Sequence, residues 1–273
     1  MFKSLITQTL PDWLRFFKGE AFENPKLLSA DRSGSSHGDL EFASLEEFLQ
    51  QIEDIPYGTA LLGVCEDGLP VLADLSDQNI SPIVILGDKG CGKSSLMLEL
   101  LVSALHWSPE PTIQFLVISD QPELFERYCK EYTSSCLGLF KPFDLQVEEA
   151  LFILTERIEE AGLSPKATVL VFVDNLSMVR TASSDFRNRL EQILREGATA
   201  NIWLIAELST DDALKMGRWL RYFRTRVLGT MSLQAVRRLG LHPGLDIQNL
   251  LSSRQFAVFT QEQWLKFRTL TLK

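Results

Sequence analysis

The chain has 273 residues, 45% of them hydrophobic and 23% charged, enough apolar material for a buried core in one large domain or two small ones. Its formal net charge of -9 excludes a protein that coats nucleic acid over its whole surface, because phosphate binding relies on clustered Lys and Arg; a local basic strip is still allowed. The apolar runs are far shorter than the roughly 20 residues a membrane-spanning helix needs, and the N-terminus has no long apolar signal core, so direct membrane insertion is not expected.

Residues 1–55 differ from the rest and are expected to form an appended segment, with loop composition over residues 29–39. Within it, Ser44 and Glu47 have capping-box spacing ahead of Leu45, Phe48, Leu49 and Ile52. That pattern predicts a short amphipathic helix packed against the main domain, residues 56–273. Apolar runs at 61–65 and 70–75 flank Glu66, Asp67 and Gly68 and predict a hairpin. Further strand-like runs follow at 83–86, 113–119, 169–173, 202–206, 226–229, 256–259 and 267–272. Helical patterns at 93–105, 146–161 and 185–196 alternate with the first four of these. Such alternation predicts an α/β fold, a mainly parallel sheet with helices on both faces.

Cys65, Cys91, Cys129 and Cys136 are scattered without a CxxC pair, so the spacing suggests neither a zinc site nor a disulfide framework. A reducing cytoplasm fits that usage. Arg218, Arg221, Arg224 and Arg226, with Arg237 and Arg238, form the main basic strip. Solvated or subunit-contacting arginines are expected there in preference to a nucleic-acid site.

Gly87, Asp88, Lys89, Gly90, Cys91, Gly92, Lys93 and Ser94 fit G-x-x-x-x-G-K-[ST] without a mismatch. The motif follows an apolar run and precedes a helical pattern, the strand, loop, helix order that phosphate binding requires. Glycines let the backbone curl so that successive N–H groups face one concavity, and a helix N-terminus adds positive potential. ATP with Mg²⁺ is the expected ligand. Lys93 would reach the β and γ phosphates, Ser94 would place its hydroxyl on Mg²⁺, and Ser95 would lie near the α phosphate. Cys91 is expected to be an inert small residue of a tight loop, although a nearby lysine and helix terminus can lower a thiol pKa.

The run at 168–173 ends in Asp174, at the carboxyl edge of a central strand where parallel sheets place their ligands. It is the candidate support for the metal's water shell. Asn175 follows, where many hydrolysing P-loop proteins carry a glutamate, and an amide cannot act as a general base. The sequence therefore supports binding more strongly than turnover.

Several stretches beyond the loop resemble the FtsK/SpoIIIE-type motor domains of the FtsK/HerA group of P-loop ATPases. Residues 63–75 are similar to that family's hairpin pattern G-x-D/E-x-x-G-x-P-V-x-x-D-L, with Cys65 in place of its acidic residue. The run 115–124 resembles its second strand, and residues 193–206 resemble its helix, small-residue turn and fourth strand. Two departures stand out. The fourth strand commonly ends Ala-Thr-Gln, whereas Ala206 is followed here by Glu207 and Leu208, and a leucine cannot make the hydrogen bonds of a polar pair. The arginine that commonly precedes the turn aligns with Gly197 or Ala198, leaving Arg187, Arg189, Arg195 and the strip at 218–226 as candidates for an arginine acting in trans.

The resemblance implies a RecA-like P-loop ATPase that assembles as a homo-oligomeric hexameric ring, or with a related ATPase subunit, and moves double-stranded DNA. Lys93 and Asp174 would be its catalytic residues, with Asn175 a doubtful third. Two alternatives stay open: a nucleotide-binding scaffold or regulatory subunit with a weakened site, and a type VII secretion-like ATPase that moves protein. Fold likeness does not choose between cargoes.

Overall fold

The computed structural model describes residues 44–52, 55–160, 167–241, 250, 254–260 and 263–272. The polar stretch at 29–39, and all of the appended segment before Ser44, lie outside them. One ten-stranded sheet organises the described chain. Its strands are β1 (Thr59–Val64), β2 (Pro70–Asp74), β3 (Ile83–Gly87), β4 (Ile113–Ile118), β5 (Cys136–Phe140), β6 (Thr168–Val173), β7 (Ile202–Ser209), β8 (Thr225–Leu228), β9 (Gln255–Thr260) and β10 (Gln263–Arg268). They lie in the order β2-β1-β10-β9-β8-β3-β7-β6-β4-β5. From β8 to β5 all neighbours are parallel, and from β2 to β8 all are antiparallel.

The expected α/β architecture is thus present, with helices α1 (Leu45–Gln51), α2 (Lys93–His106), α3 (Glu123–Glu131), α4 (Leu145–Glu159), α5 (Ser184–Glu196), α6 (Thr210–Ala213), α7 (Gly217–Leu220) and α8 (Leu233–Arg238). Strand alternation divides the core in two, since successive side chains point to opposite faces. Ile83, Ile85, Phe115, Val117, Leu170, Phe172, Trp203 and Ile205 bury on the face covered by α2. Val84, Leu86, Leu116, Ile118, Val169, Val171, Leu204 and Ala206 bury on the other, against α4 and α5.

The capping box is made: Ser44 Oγ accepts from Glu47 N–H at 3.4 Å, and the Glu47 carboxylate accepts from Ser44 N–H at 3.3 Å. Helix α1 buries Leu45 and Leu49 in the α2-side core, and Leu45 N–H donates to Thr271 O at 2.9 Å. The predicted hairpin is β1–β2. Gly63 carries a φ of 149° where a Cβ would lie 2.5 Å from the Arg268 carbonyl oxygen, so only glycine admits this approach of β1 to β10.

The structure corrects the sequence reading at four places. The strand expected at 267–272 is displaced to Gln263–Arg268, because its register is set by antiparallel pairing with β9 from Gln263↔Thr260 to Arg268↔Gln255. Strand β5 was not predicted; it is an edge strand whose short apolar run, CLGLF, is interrupted by Gly138 and has no fully buried residue. Helix α3 was not predicted either, since only Phe125 and Tyr128 of its nine residues are buried. Finally, Cys129 near the end of α3 and Cys136 at the start of β5 are joined as a disulfide, Cα atoms 5.2 Å apart. Their spacing of seven residues signals nothing by itself; the helix and edge strand fold back on each other to bring them together.

Candidate functional site

The site is built at the carboxyl edge of β3, β7, β6 and β4, on the face covered by α2. The alternation that sends Phe115, Val117, Leu170, Phe172, Trp203 and Ile205 to this face carries on past the apolar residues. It delivers Ser119, Asp174 and Glu207 to the same side as the first turn of α2. Parallel register sets their heights: Val173 pairs with Ala206 and Ile85 with Glu207, placing Glu207 between the loop strand and the Asp174 strand.

The loop runs from the end of β3 into the 14-residue α2. Gly90 and Gly92 adopt φ of 82° and 92°, left-handed values that L side chains rarely take. Asp88 N–H donates to Thr230 O at 2.9 Å, and Gly229 N–H to Leu86 O at 2.7 Å, tying the loop to the chain after β8. Asp88, Lys89 and Gly90 are exposed, as is Ser95 on the outer side of the helix. Lys93 is buried, and its Nζ donates to Gly87 O at 3.4 Å and Asp88 O at 3.1 Å, folded back over the loop. Cys91 is also buried: its Sγ fills the space where a Cβ on Gly87 or Gly229 would lie 2.5 or 2.8 Å away. Burial pushes its thiol pKa up, outweighing the opposing pull of Lys93. That makes Cys91 a packing residue.

Opposite the loop, Asp174 is buried and accepts from Ser119 Oγ at 2.5 Å. Ser119 Oγ in turn accepts from Gln121 N–H at 2.9 Å. Glu207 Oε2 accepts from Ser94 Oγ at 3.0 Å, and the Glu207 carboxyl lies next to that of Asp174. Burial, then the neighbouring Asp174 charge, push Glu207 up to about 7, with Lys93 and the Ser94 hydrogen bond pulling the other way. A neighbouring like charge disfavours the ionised form of Glu207, and a cation between the two carboxyls would relieve it.

Asn175 has turned away. It takes a left-handed φ of 72°, and its Oδ1 accepts from Ser177 N–H at 3.2 Å and Ser177 Oγ at 2.6 Å, capping a 3-10 turn at Leu176–Arg180. Beyond it opens a cavity of about 440 Å³ lined by Asp120, Phe143, Asn175, Ser177, Met178, Arg180 and Thr181. Among the candidate arginines, Arg189 donates to Thr155 Oγ1 and stacks over Phe152 at 4.6 Å. Arg187 and Arg195 are exposed. In the basic strip, Arg218 pairs with Glu191 at 3.1 Å, Arg224 donates to Gln78 O and Arg226 to Leu220 O.

Ser119 and Glu207 are the two site residues that the sequence reading missed. The signal was strand parity. Trp203, Ile205 and Glu207 alternate with Leu204, Ala206 and Leu208, so Leu208, fully buried on the far face, never competes for the polar role.

No family model matches the chain, and no curated protein matches it. Solved structures do. The cytoplasmic domain of EssC aligns with a TM-score of 0.65 at 15% identity, covering 84% of this chain and 47% of that one. The EccC segment with ATPases 2 and 3 from Thermomonospora curvata, solved with a signal sequence peptide, gives 0.60 at 15% identity, covering 79% of this chain and 41% of that one. The pCW3 conjugation coupling protein TcpA, in monomer form with ATPγS, gives 0.59 at 14% identity, with 81% and 68% covered. This chain therefore spans less than half the length of the first two. Among the described residues no helix is long and apolar enough to cross a membrane. At such identities the likeness establishes architecture, and it agrees with the strand order and the loop: the chain has the fold of the FtsK/SpoIIIE-type P-loop ATPase domains.

Proposed function

We propose that this chain binds MgATP and is a P-loop ATPase of the FtsK/HerA type, a subunit of a hexameric ring that moves double-stranded DNA. The observation that carries nucleotide binding is the convergence at one sheet edge of Lys93, the Ser94 hydroxyl and buried Asp174 around the N-terminus of a 14-residue helix. Phosphate oxygens would replace the loop carbonyls that Lys93 now meets, and the N–H groups of Gly90, Gly92 and Lys93 would complete the cradle. The donor set opposite is all oxygen, which suits a hard divalent cation, so Mg²⁺ fits at Ser94 and Asp174 and would supply charge neutralisation between the β and γ phosphates. What remains for the protein is positioning and electrostatic stabilisation of the transferred group. The ring and the DNA cargo rest on the family resemblance and not on a surface of this chain.

A second reading has its own support: a nucleotide-binding scaffold whose slow turnover acts as a switch. Asn175 has its carbonyl oxygen committed to Ser177 and offers no proton acceptor to a water. ATP binding by calorimetry, turnover with and without duplex DNA, and native mass with and without MgATP test both. Lys93→Ala is expected to weaken ATP binding by about tenfold or more, since a charge-assisted contact is worth roughly 1.5–3 kcal/mol. A DNA-stimulated rate lost in Lys93→Ala, with a nucleotide-dependent hexamer, supports the motor. Tight binding without hydrolysis in a stable monomer supports the scaffold, and stimulation by a protein substrate in place of DNA would move the cargo to polypeptide.

A further inference from the structure

Glu207 has no place in the family pattern, where a threonine commonly stands, yet it accepts the hydrogen bond of the Ser94 hydroxyl. We propose that Glu207 is a third oxygen donor of the divalent-cation site, beside Ser94 and Asp174. This rests on the nucleotide-binding reading above.

The geometry favours a metal ligand. Magnesium holds its oxygens at about 2.0–2.1 Å in a near-ideal octahedron, so neighbouring corners lie about 2.1 × √2, or roughly 3.0 Å, apart. Ser94 Oγ and Glu207 Oε2 are 3.0 Å apart. A cation can thus take over both oxygens with little movement of either side chain, the Ser94 hydroxyl keeping its proton and turning it away from Glu207. The remaining donor is Asp174, next to Glu207 and anchored by Ser119 Oγ at 2.5 Å. Lys93 does not neutralise the pair through a hydrogen bond, because its Nζ is turned to Gly87 O and Asp88 O. Two neighbouring carboxyls, one buried and one half-buried, are costly in isolation and favourable around a dication. Glu207 is also placed by the sheet itself: β7 lies between β3 and β6, so its side chain enters from between the loop and Asp174.

The test uses Mn²⁺ in place of Mg²⁺. Wild-type chain, Glu207→Gln and Glu207→Asp are loaded with a non-hydrolysable ATP analogue, and Mn²⁺ affinity and bound water are read by electron paramagnetic resonance and its deuterium modulation. Glu207→Gln should lower Mn²⁺ affinity by about tenfold or more and add about one water to the metal's shell. Glu207→Asp should recover part of the affinity. Nucleotide affinity in EDTA should be unchanged or tighter in Glu207→Gln, since a carboxylate near the phosphates has gone, and circular dichroism should show an intact fold. Mn²⁺ affinity within twofold of wild type, with the same hydration, overturns the proposal, as does a loss of turnover with both values unchanged. Failure of the wild-type chain to bind the analogue in EDTA or with metal would instead overturn the nucleotide reading on which the proposal stands.

Discussion

Replacing Glu99 by glutamine should flatten the pH dependence of stability. Glu99 lies on α2, six residues after Lys93, with no exposed surface. Its Oε2 accepts from Leu270 N–H at 3.0 Å, and among the described residues its Oε1 meets no partner. Burial holds its pKa well above the ordinary carboxylate value, and the Leu270 hydrogen bond offsets only part of this. In the unfolded chain the same group ionises near the ordinary value. The folded state therefore keeps a proton that the unfolded state has lost, and stability is greatest in acid. It falls as pH rises through the carboxylate range until the folded group itself ionises. Across that window one proton of difference corresponds to about 1.4 kcal/mol per pH unit. For a chain of this size that is about 2–3 °C in Tm per pH unit. Glutamine keeps the acceptor for Leu270 and has no charge to bury, but leaves buried amide N–H groups unpartnered, at about 1–3 kcal/mol. Thermal unfolding at pH 5, 6, 7 and 8 should find Glu99→Gln less stable than wild type at pH 5, with the gap closing or reversing by pH 8. Parallel pH profiles for the two proteins would refute the buried, protonated carboxyl.

Three further outcomes follow from particular contacts. Asn175→Glu should cost about 1–2 kcal/mol by chemical denaturation, because it loses the cap to Ser177 and puts a longer side chain at a left-handed φ, whereas Asn175→Asp should cost under about 1 kcal/mol. Comparing their turnover then asks whether a carboxylate at 175 speeds hydrolysis without the confounding strain. Gly63→Ala should destabilise by about 1–3 kcal/mol, since its Cβ would strike the backbone oxygen of Arg268, while ATP affinity measured below the lowered Tm stays the same. Gly92→Ala should combine a cost of about 1–2 kcal/mol with weaker ATP binding, because its φ of 92° belongs to the loop itself. Equal stability of Gly92→Ala and wild type would contradict that backbone conformation.

Much of the fold is legible in the residues because its signals are local. The loop motif, the run ending at Asp174 and the capping box at Ser44 each occupy a few consecutive positions, and each forms as spaced. The amphipathic helices are legible for the same reason: their apolar stripes repeat within one element. Strand β5 is five residues interrupted by Gly138 and helix α3 is nine residues with two of them buried, so each leaves only a brief signal, and β10 takes its register from β9 and not from its own residues. Cys129 and Cys136 meet only because two such weak elements pack together.

The sequence by itself determined that a phosphate-binding loop opens a helix and that a carboxylate ends a central strand, since both depend on neighbours along the chain. Tertiary structure alone decided which polar groups share that edge. Strand order puts β7 between β3 and β6, and strand parity turns Glu207 and Ser119 toward the loop while it buries Leu208 and lets Asn175 cap a turn. Proximity across a sheet depends on pairing between strands far apart in sequence, and no local spacing encodes it.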